Sequence, residues 1–235
     1  NYDIGHVFST GGGGVASVGV PCGGSKARGV TGLSNPVGDP FAIDFVAHEI
    51  GHQWGALHTF NGGTGNCSGG NRTAASAFEP GSGITIMGYA GLCGSQDLAG
   101  NSIDTFHLRS LDVIVTFSQV NNGNTCDAET ATGNTPPAVT LTTPGPYNVP
   151  KQTPFALTAS ATDVNGDTLT YDWQQVNTGN SANGAATMVP NTDSDGVARP
   201  LFRNYVPQSS GTRYFPSLQY IRSNANVPPS KTSGF

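Results

Sequence analysis

The eleven residues His48-Glu-Ile-Gly-His52-Gln-Trp-Gly-Ala-Leu-His58 carry three of the five histidines in a chain of 235. Read as a helix, they put His48 and His52 one above the other on a single face. Two imidazoles stacked in that way can share one tetrahedral zinc ion. Glu49 is too close in sequence to be a comfortable third ligand and well placed to polarise a water on the metal. Gly55 can take positive φ, so it can end the helix and turn the chain back. His58 then arrives from below as the third ligand. The fourth position stays open, as in a catalytic rather than a structural zinc site. A bare His-Glu-x-x-His also arises by chance in helices. The extended form fixes five positions in the eleven, one of them a glycine with a geometric task, and this favours the metal reading.

Composition bounds what such a helix can belong to. The length suits one large or two ordinary domains. Charged residues make up 11%, the net charge is −5, and no basic patch is present, so nucleic acid is not an expected partner. No apolar run is long enough to span a membrane. The four cysteines, Cys22, Cys67, Cys93 and Cys126, form no C-x-x-C pair. An even count in a Gly-, Ser- and Thr-rich, lysine-poor chain points to two disulfides and an oxidising, extracellular compartment, with three connectivities open.

Taken in order, residues 2–9 alternate as a strand and Gly11–Gly14 form a turn. Residues 15–20 read as a second strand that Pro21 stops. Its small residues suggest an edge, where an extended peptide could pair. Residues 23–40 read as loop. The metal helix is expected over Pro40–Gly55, capped by Asp39, with Ile43, Val46, Ala47 and Ile50 on its apolar side. Trp54 reads as a core anchor. Asn66 and Asn71 begin glycosylation-acceptor triplets, which matter only in a eukaryotic secretory host. A second helix is expected over 104–120, capped by Asp104 or Thr105. Its apolar side is Phe106, Leu111, Ile114, Val115 and Phe117, and His107 reads as a polar helix-start residue. Residues 131–138 form a linker. Beyond it, Val139–Thr142, Phe155–Ala161, Leu169–Gln175 and Thr187–Val189 are short strand-like runs, spaced as in a β-sandwich. Four such runs are fewer than a sandwich needs, so this second region reads as incomplete. Asp163-Val164-Asn165-Gly166-Asp167 is a turn signal whose carboxylates could also hold Ca²⁺; the plain turn is favoured.

The His48–His58 stretch resembles the metzincin zinc endopeptidases, and Ile84-Thr85-Ile86-Met87-Gly88-Tyr89 is similar to the methionine turn of that superfamily. The order of elements looks like the reprolysin (adamalysin-like) branch, above all its secreted bacterial members. The resemblance covers residues 2–130 well and the remainder loosely. It implies an α+β (α/β-type) catalytic domain over 1–130, then an all-β immunoglobulin- or fibronectin-like sandwich over 139–235. It implies zinc on His48, His52 and His58, Glu49 as general base and then acid, and Met87 as a hydrophobic floor. Residues 14–20 would hold an extended substrate. The implied disulfides are Cys22–Cys126 and Cys67–Cys93. Tyr89 stands in a Met-x-Tyr spacing like that of the astacin and serralysin branches, so it is expected either to reach zinc, to steady an oxyanion, or to serve as a structural phenol.

The resemblance also implies more chain ahead of the helix than the 47 residues here. An N-terminal part of the domain is therefore expected to be missing, either cleaved and still associated as a separate chain or absent because the sequence is a fragment. The expected activity is a secreted zinc metalloendopeptidase acting on extracellular protein or peptide, with specificity set by a pocket near Thr85–Cys93. The alternative is a secreted adhesin or binding module that keeps zinc for structure.

Overall fold

The computed structural model describes residues 2–150, 153–179 and 200–223. In the first half, β1 (Val7–Ser9), β2 (Gly13–Ala16) and β3 (Gly29–Gly32) form a three-stranded sheet in the order β1-β3-β2. β3 is parallel to β1 and antiparallel to β2. The central strand lies in the stretch expected to be loop. Gly-Val-Thr-Gly offers almost no β signal of its own, and pairing on both sides makes it a strand. β2 lies at an edge, as expected, but ends at Ala16. Beyond it the chain serves the helix instead: the amides of Gly19 and Val20 donate to the carbonyls of His52 and Gln53 at 3.0 and 2.9 Å. These are carbonyls that the helix end would otherwise leave unpaired.

The metal helix is α1 (Gly38–Phe41), a π-helical turn over Ala42–Ala47, and α2 (His48–Gln53), run end to end. The expected cap is corrected. Val37 is the N-cap without a side-chain bond, and Asp39 already lies inside the first turn. Pro40 fits there because the first-turn N–H groups have no partner within the helix. Gly55, at φ 99°, breaks the helix as expected. Fully buried Gln53 ties α2 to the sheet. Its Oε1 lies 2.8 Å from His6 Nδ1 and its Nε2 donates to the Gly5 carbonyl at 3.0 Å.

Two small cores flank the helix. Ala56, Ile86 and Met87 form one, with Ile43, Ala47, Phe106 and Ile114 against it; Phe60, Cys67, Cys93 and Tyr89 form the other. Disulfides join Cys22 to Cys126 and Cys67 to Cys93. Helix α3 (Leu108–Gln119) is capped not by Asp104 or Thr105 but by buried His107, whose Nδ1 accepts from Arg109 N at 3.2 Å. On α3, Phe117 packs edge-on against Trp54 at 6.3 Å. Leu111 and Val115, expected on the packed side, are 43% and 47% exposed.

The second half contributes β4 (Ala138–Leu141), β5 (Phe155–Thr162) and β6 (Thr212–Phe215), an antiparallel sheet in the order β4-β5-β6, followed by α4 (Leu218–Arg222). Two of the expected runs are strands here, and β6 lies where none was foreseen. Leu169–Gln175 is not a strand. It makes one bridge, Tyr171 to Gln208, and its glutamine side chains bond to backbone amides of other segments. Gln174 Oε1 accepts from Leu108 N, and Gln175 Oε1 accepts from Leu201 N and Phe202 N. The run Thr187–Val189 lies outside the described residues. At Asp163 the carboxylate caps its own turn, accepting from Asn165 N at 2.7 Å. No helix among the described residues is long and apolar enough to cross a membrane.

Candidate metal centre

The helix stacks His48 and His52 on one face, and the turn at Gly55 returns His58 beneath them. The three Nε2 atoms converge, at 3.0 Å between His52 and His58 and 3.1 Å between His58 and His48. Each Nδ1 faces a backbone carbonyl: Ile86 O at 2.7 Å from His48, Ala56 O at 2.7 Å from His52, and Asn71 O at 2.6 Å from His58. A carbonyl can only accept, so each Nδ1 carries the proton and each Nε2 presents a lone pair. Three lone pairs facing one another have no hydrogen to share, and a cation at their focus resolves the contact.

Burial reinforces this state. It pushes His48 well below its ordinary value, helped by the neighbouring His52 and His58. It lowers His52, and it lowers His58 to about 4. Neutral imidazole nitrogens in a set of three are zinc chemistry, so the residues present fit zinc. This triad is the one candidate metal cluster among the described residues. Calcium at the 163–167 turn gains no support.

Glu49 is buried beside the triad. Burial raises its carboxyl to about 7, and its Oε2 has no hydrogen-bond partner. It opens onto a cleft of about 360 Å³ lined by Gly13 and Gly14 of β2, Asp44, Phe45, His48, Gly88, Tyr89, Ala90, Leu92 and Ser102 among others. Gly88, Tyr89, Ala90 and Leu92, from the stretch expected to wall a specificity pocket, line this cleft together with Asp44 and Phe45 of the π-helical turn, which sequence reasoning did not assign. Asn71, read only as a glycosylation acceptor, lines the same cleft and supplies the carbonyl for His58.

Met87 is fully buried beneath the helix. A Cβ on Gly51 would stand 2.6 Å from its Sδ, so the close approach of turn and helix needs glycine there. Tyr89 stacks on Phe60 at 4.6 Å and lies against His58 at 4.5 Å. Burial and the charge of Glu49 raise its hydroxyl to about 12, so it stays a neutral donor at the cleft wall.

One residue of weight escaped the sequence reading. Glu79 is 1% exposed and anchors the methionine turn. Its carboxylate accepts from Thr59 Oγ1 at 2.6 Å, Ile84 N at 2.9 Å, Thr85 N at 3.2 Å and Asn204 Nδ2 at 3.0 Å, and from Thr85 Oγ1. A lone glutamate in a loop-like stretch gives no pattern that announces this.

Residues 1–111 match the family model described as Metallo-peptidase family M12B Reprolysin-like. No curated protein and no solved structure matches the chain. The family match spans the strands, the helix and the methionine turn that build the histidine cluster, and on these grounds the N-terminal portion of the chain, residues 1–111, belongs to the reprolysin-like metallopeptidases of family M12B.

Proposed function

We propose that the chain is a secreted zinc metalloendopeptidase that hydrolyses peptide bonds of extracellular proteins. The observation that carries this is the convergence of three Nε2 lone pairs beside a buried carboxylate with an unpartnered oxygen, in a cleft edged by a sheet strand. His48, His52 and His58 would hold the ion. A bound zinc supplies Lewis acidity toward a carbonyl oxygen and toward water.

The chain's own groups do the rest. Gly13 and Gly14 on the β2 edge would pair with an extended substrate backbone, as free strand edges do. Glu49 would accept a proton from the attacking water and return it to the leaving amine. A carboxyl raised to about 7 is suited to both transfers. The Tyr89 hydroxyl, a neutral donor, would stabilise the oxyanion. Two disulfides support export to an oxidising compartment.

The test is casein and peptide hydrolysis by wild-type, Glu49→Gln and chelator-treated protein, with metal content measured in each. Glu49→Gln should retain zinc and lose about 10²-fold or more in kcat, the usual size of a general-base contribution. Unchanged hydrolysis with zinc still bound would sink the role of Glu49. No hydrolysis by the zinc-loaded wild type would favour a binding protein with a structural ion. The active form carries Glu49 deprotonated, so kcat/KM should fall on the acid side of about 7, a bound dication drawing that limb lower.

A further inference from the structure

The cleft has an acid built into its wall as well as at its catalytic end. Asp44 lies one turn before His48 and Glu49, in the π-helical turn Ala42–Ala47. Such turns are rare and tend to occur at functional sites. Asp44 and Glu49 are the charged residues among those lining the cleft, and no lysine or arginine lines it among the described residues. Asp44 Oδ1 accepts from Ser102 N and Oδ2 from Asn101 Nδ2, both at 2.7 Å. Both donors are neutral. They aim the carboxylate and leave its charge uncompensated, with acceptor capacity to spare. The ion pair found among the described residues is Arg109–Asp112, on the outer face of α3.

The same cleft is lined by apolar and aromatic side chains, Phe45, Tyr89, Ala90 and Leu92, beside the neutral polar Asn66, Asn71 and Ser102. An aliphatic stem ending in a cation fits this surface, because the stem covers the apolar wall while the head reaches the carboxylate. A neutral apolar side chain would cover the wall and leave a partly buried carboxylate unpaired. An acidic one would meet like charge.

We propose that Asp44 is a specificity residue that selects substrates with lysine or arginine beside the scissile bond. This rests on the proteolytic reading above. The rival role for Asp44 is purely local: pinning the 101–102 loop to the helix. Asp44→Asn separates the two. It keeps an oxygen for Ser102 N, and Asn101 can turn its amide to accept from the new Nδ2, so only the charge is lost.

The experiment compares matched peptides carrying Lys, Arg, norleucine or Glu at each position flanking the cleaved bond, with zinc-loaded wild type and Asp44→Asn. Wild type should show a kcat/KM preference of about tenfold or more for Lys or Arg over norleucine, the scale of one charge-assisted hydrogen bond. In Asp44→Asn that preference should vanish, kcat/KM for the Lys and Arg peptides falling to the value for the norleucine peptide. No basic preference, or one that survives in Asp44→Asn, overturns the proposal and leaves the proteolytic reading intact. If no peptide is cleaved, the proteolytic reading fails, and binding still decides the role of Asp44. The Lys peptide should bind the Glu49→Ala protein about tenfold more tightly than the norleucine peptide. The Glu49→Ala/Asp44→Asn protein should bind the two equally. Equal binding already in Glu49→Ala overturns the inference.

Discussion

At the scale of the residue, the histidine triad depends on three backbone carbonyls as much as on its own rings. Ile86, Ala56 and Asn71 fix the protons on Nδ1, and burial keeps the rings neutral. The consequence for pH has a definite sign. In the unfolded chain these histidines take up protons near 6.5, whereas in the folded chain His58 does so only at about 4. Between those values His58 takes up a proton in the unfolded state alone. Its contribution to metal-free stability is therefore full above 6.5 and is lost as pH falls toward 4, while Glu49, raised to about 7, contributes with the opposite sign over the same range. In the folded chain His58 has no proton to shed above about 4, but Glu49, raised to about 7, does, and a bound dication favours its ionised form. Zinc affinity should therefore fall as pH drops below about 7 in wild type, and fall less in Glu49→Gln. Competition with a chromophoric chelator reads this directly, and an equal decline in both proteins would contradict it.

At the scale of the element, the methionine turn owes its position to Glu79. The turn offers its own amides, Ile84 N and Thr85 N, and Glu79 accepts both while also holding Thr59, one residue past His58. Thr59 N in turn donates to the Met87 carbonyl at 3.0 Å. Glu79→Ala would leave these buried donors without an acceptor, and unfolding stability should drop by about 3 kcal/mol or more. Glu79→Gln keeps one acceptor oxygen and should lose clearly less. Urea denaturation of the two variants checks the order. Zinc affinity should fall with stability in the same order, because the His48 proton acceptor, Ile86 O, belongs to the same turn. Equal effects of Gln and Ala would mean that the carboxylate only fills space.

At the scale of the whole molecule, the second half is bonded to the first at this same point. Asn204 is buried and donates to Glu79, Gly179 N donates to the Ala77 carbonyl at 2.9 Å, and Gln174 accepts from the first residue of α3. Substitution at Asn204 should therefore be felt about the methionine turn. Asn204→Ala removes one of several donors to Glu79 and should cost about 1–2 kcal/mol. Asn204→Asp places a second carboxylate against Glu79 and should cost more. Thermal melts of the full chain, with zinc titration alongside, would show this ranking. A melt unchanged in both variants would mean that the two halves are energetically independent.

The metal-binding helix was legible in the sequence because its chemistry is local. Imidazoles four apart share a face in any helix, and a glycine able to take positive φ must turn the chain where Gly55 stands. The methionine turn was legible through resemblance. Tertiary structure alone decided what depends on residues distant in sequence. The Gly29–Gly32 strand exists because both neighbours pair with it. At Leu169–Gln175, expected as a strand, the backbone makes a single bridge and the glutamines bond to distant amides. Asp44 became part of the cleft wall through a π-helical turn that apolar periodicity does not register. Glu79 and Asn204, 125 positions apart, meet only in the fold. Sequence spacing could name the three histidines. That Ile86 and Asn71 orient two of them, that Asp44 lines the cleft and that Glu79 holds the methionine turn are set by packing between residues distant in sequence.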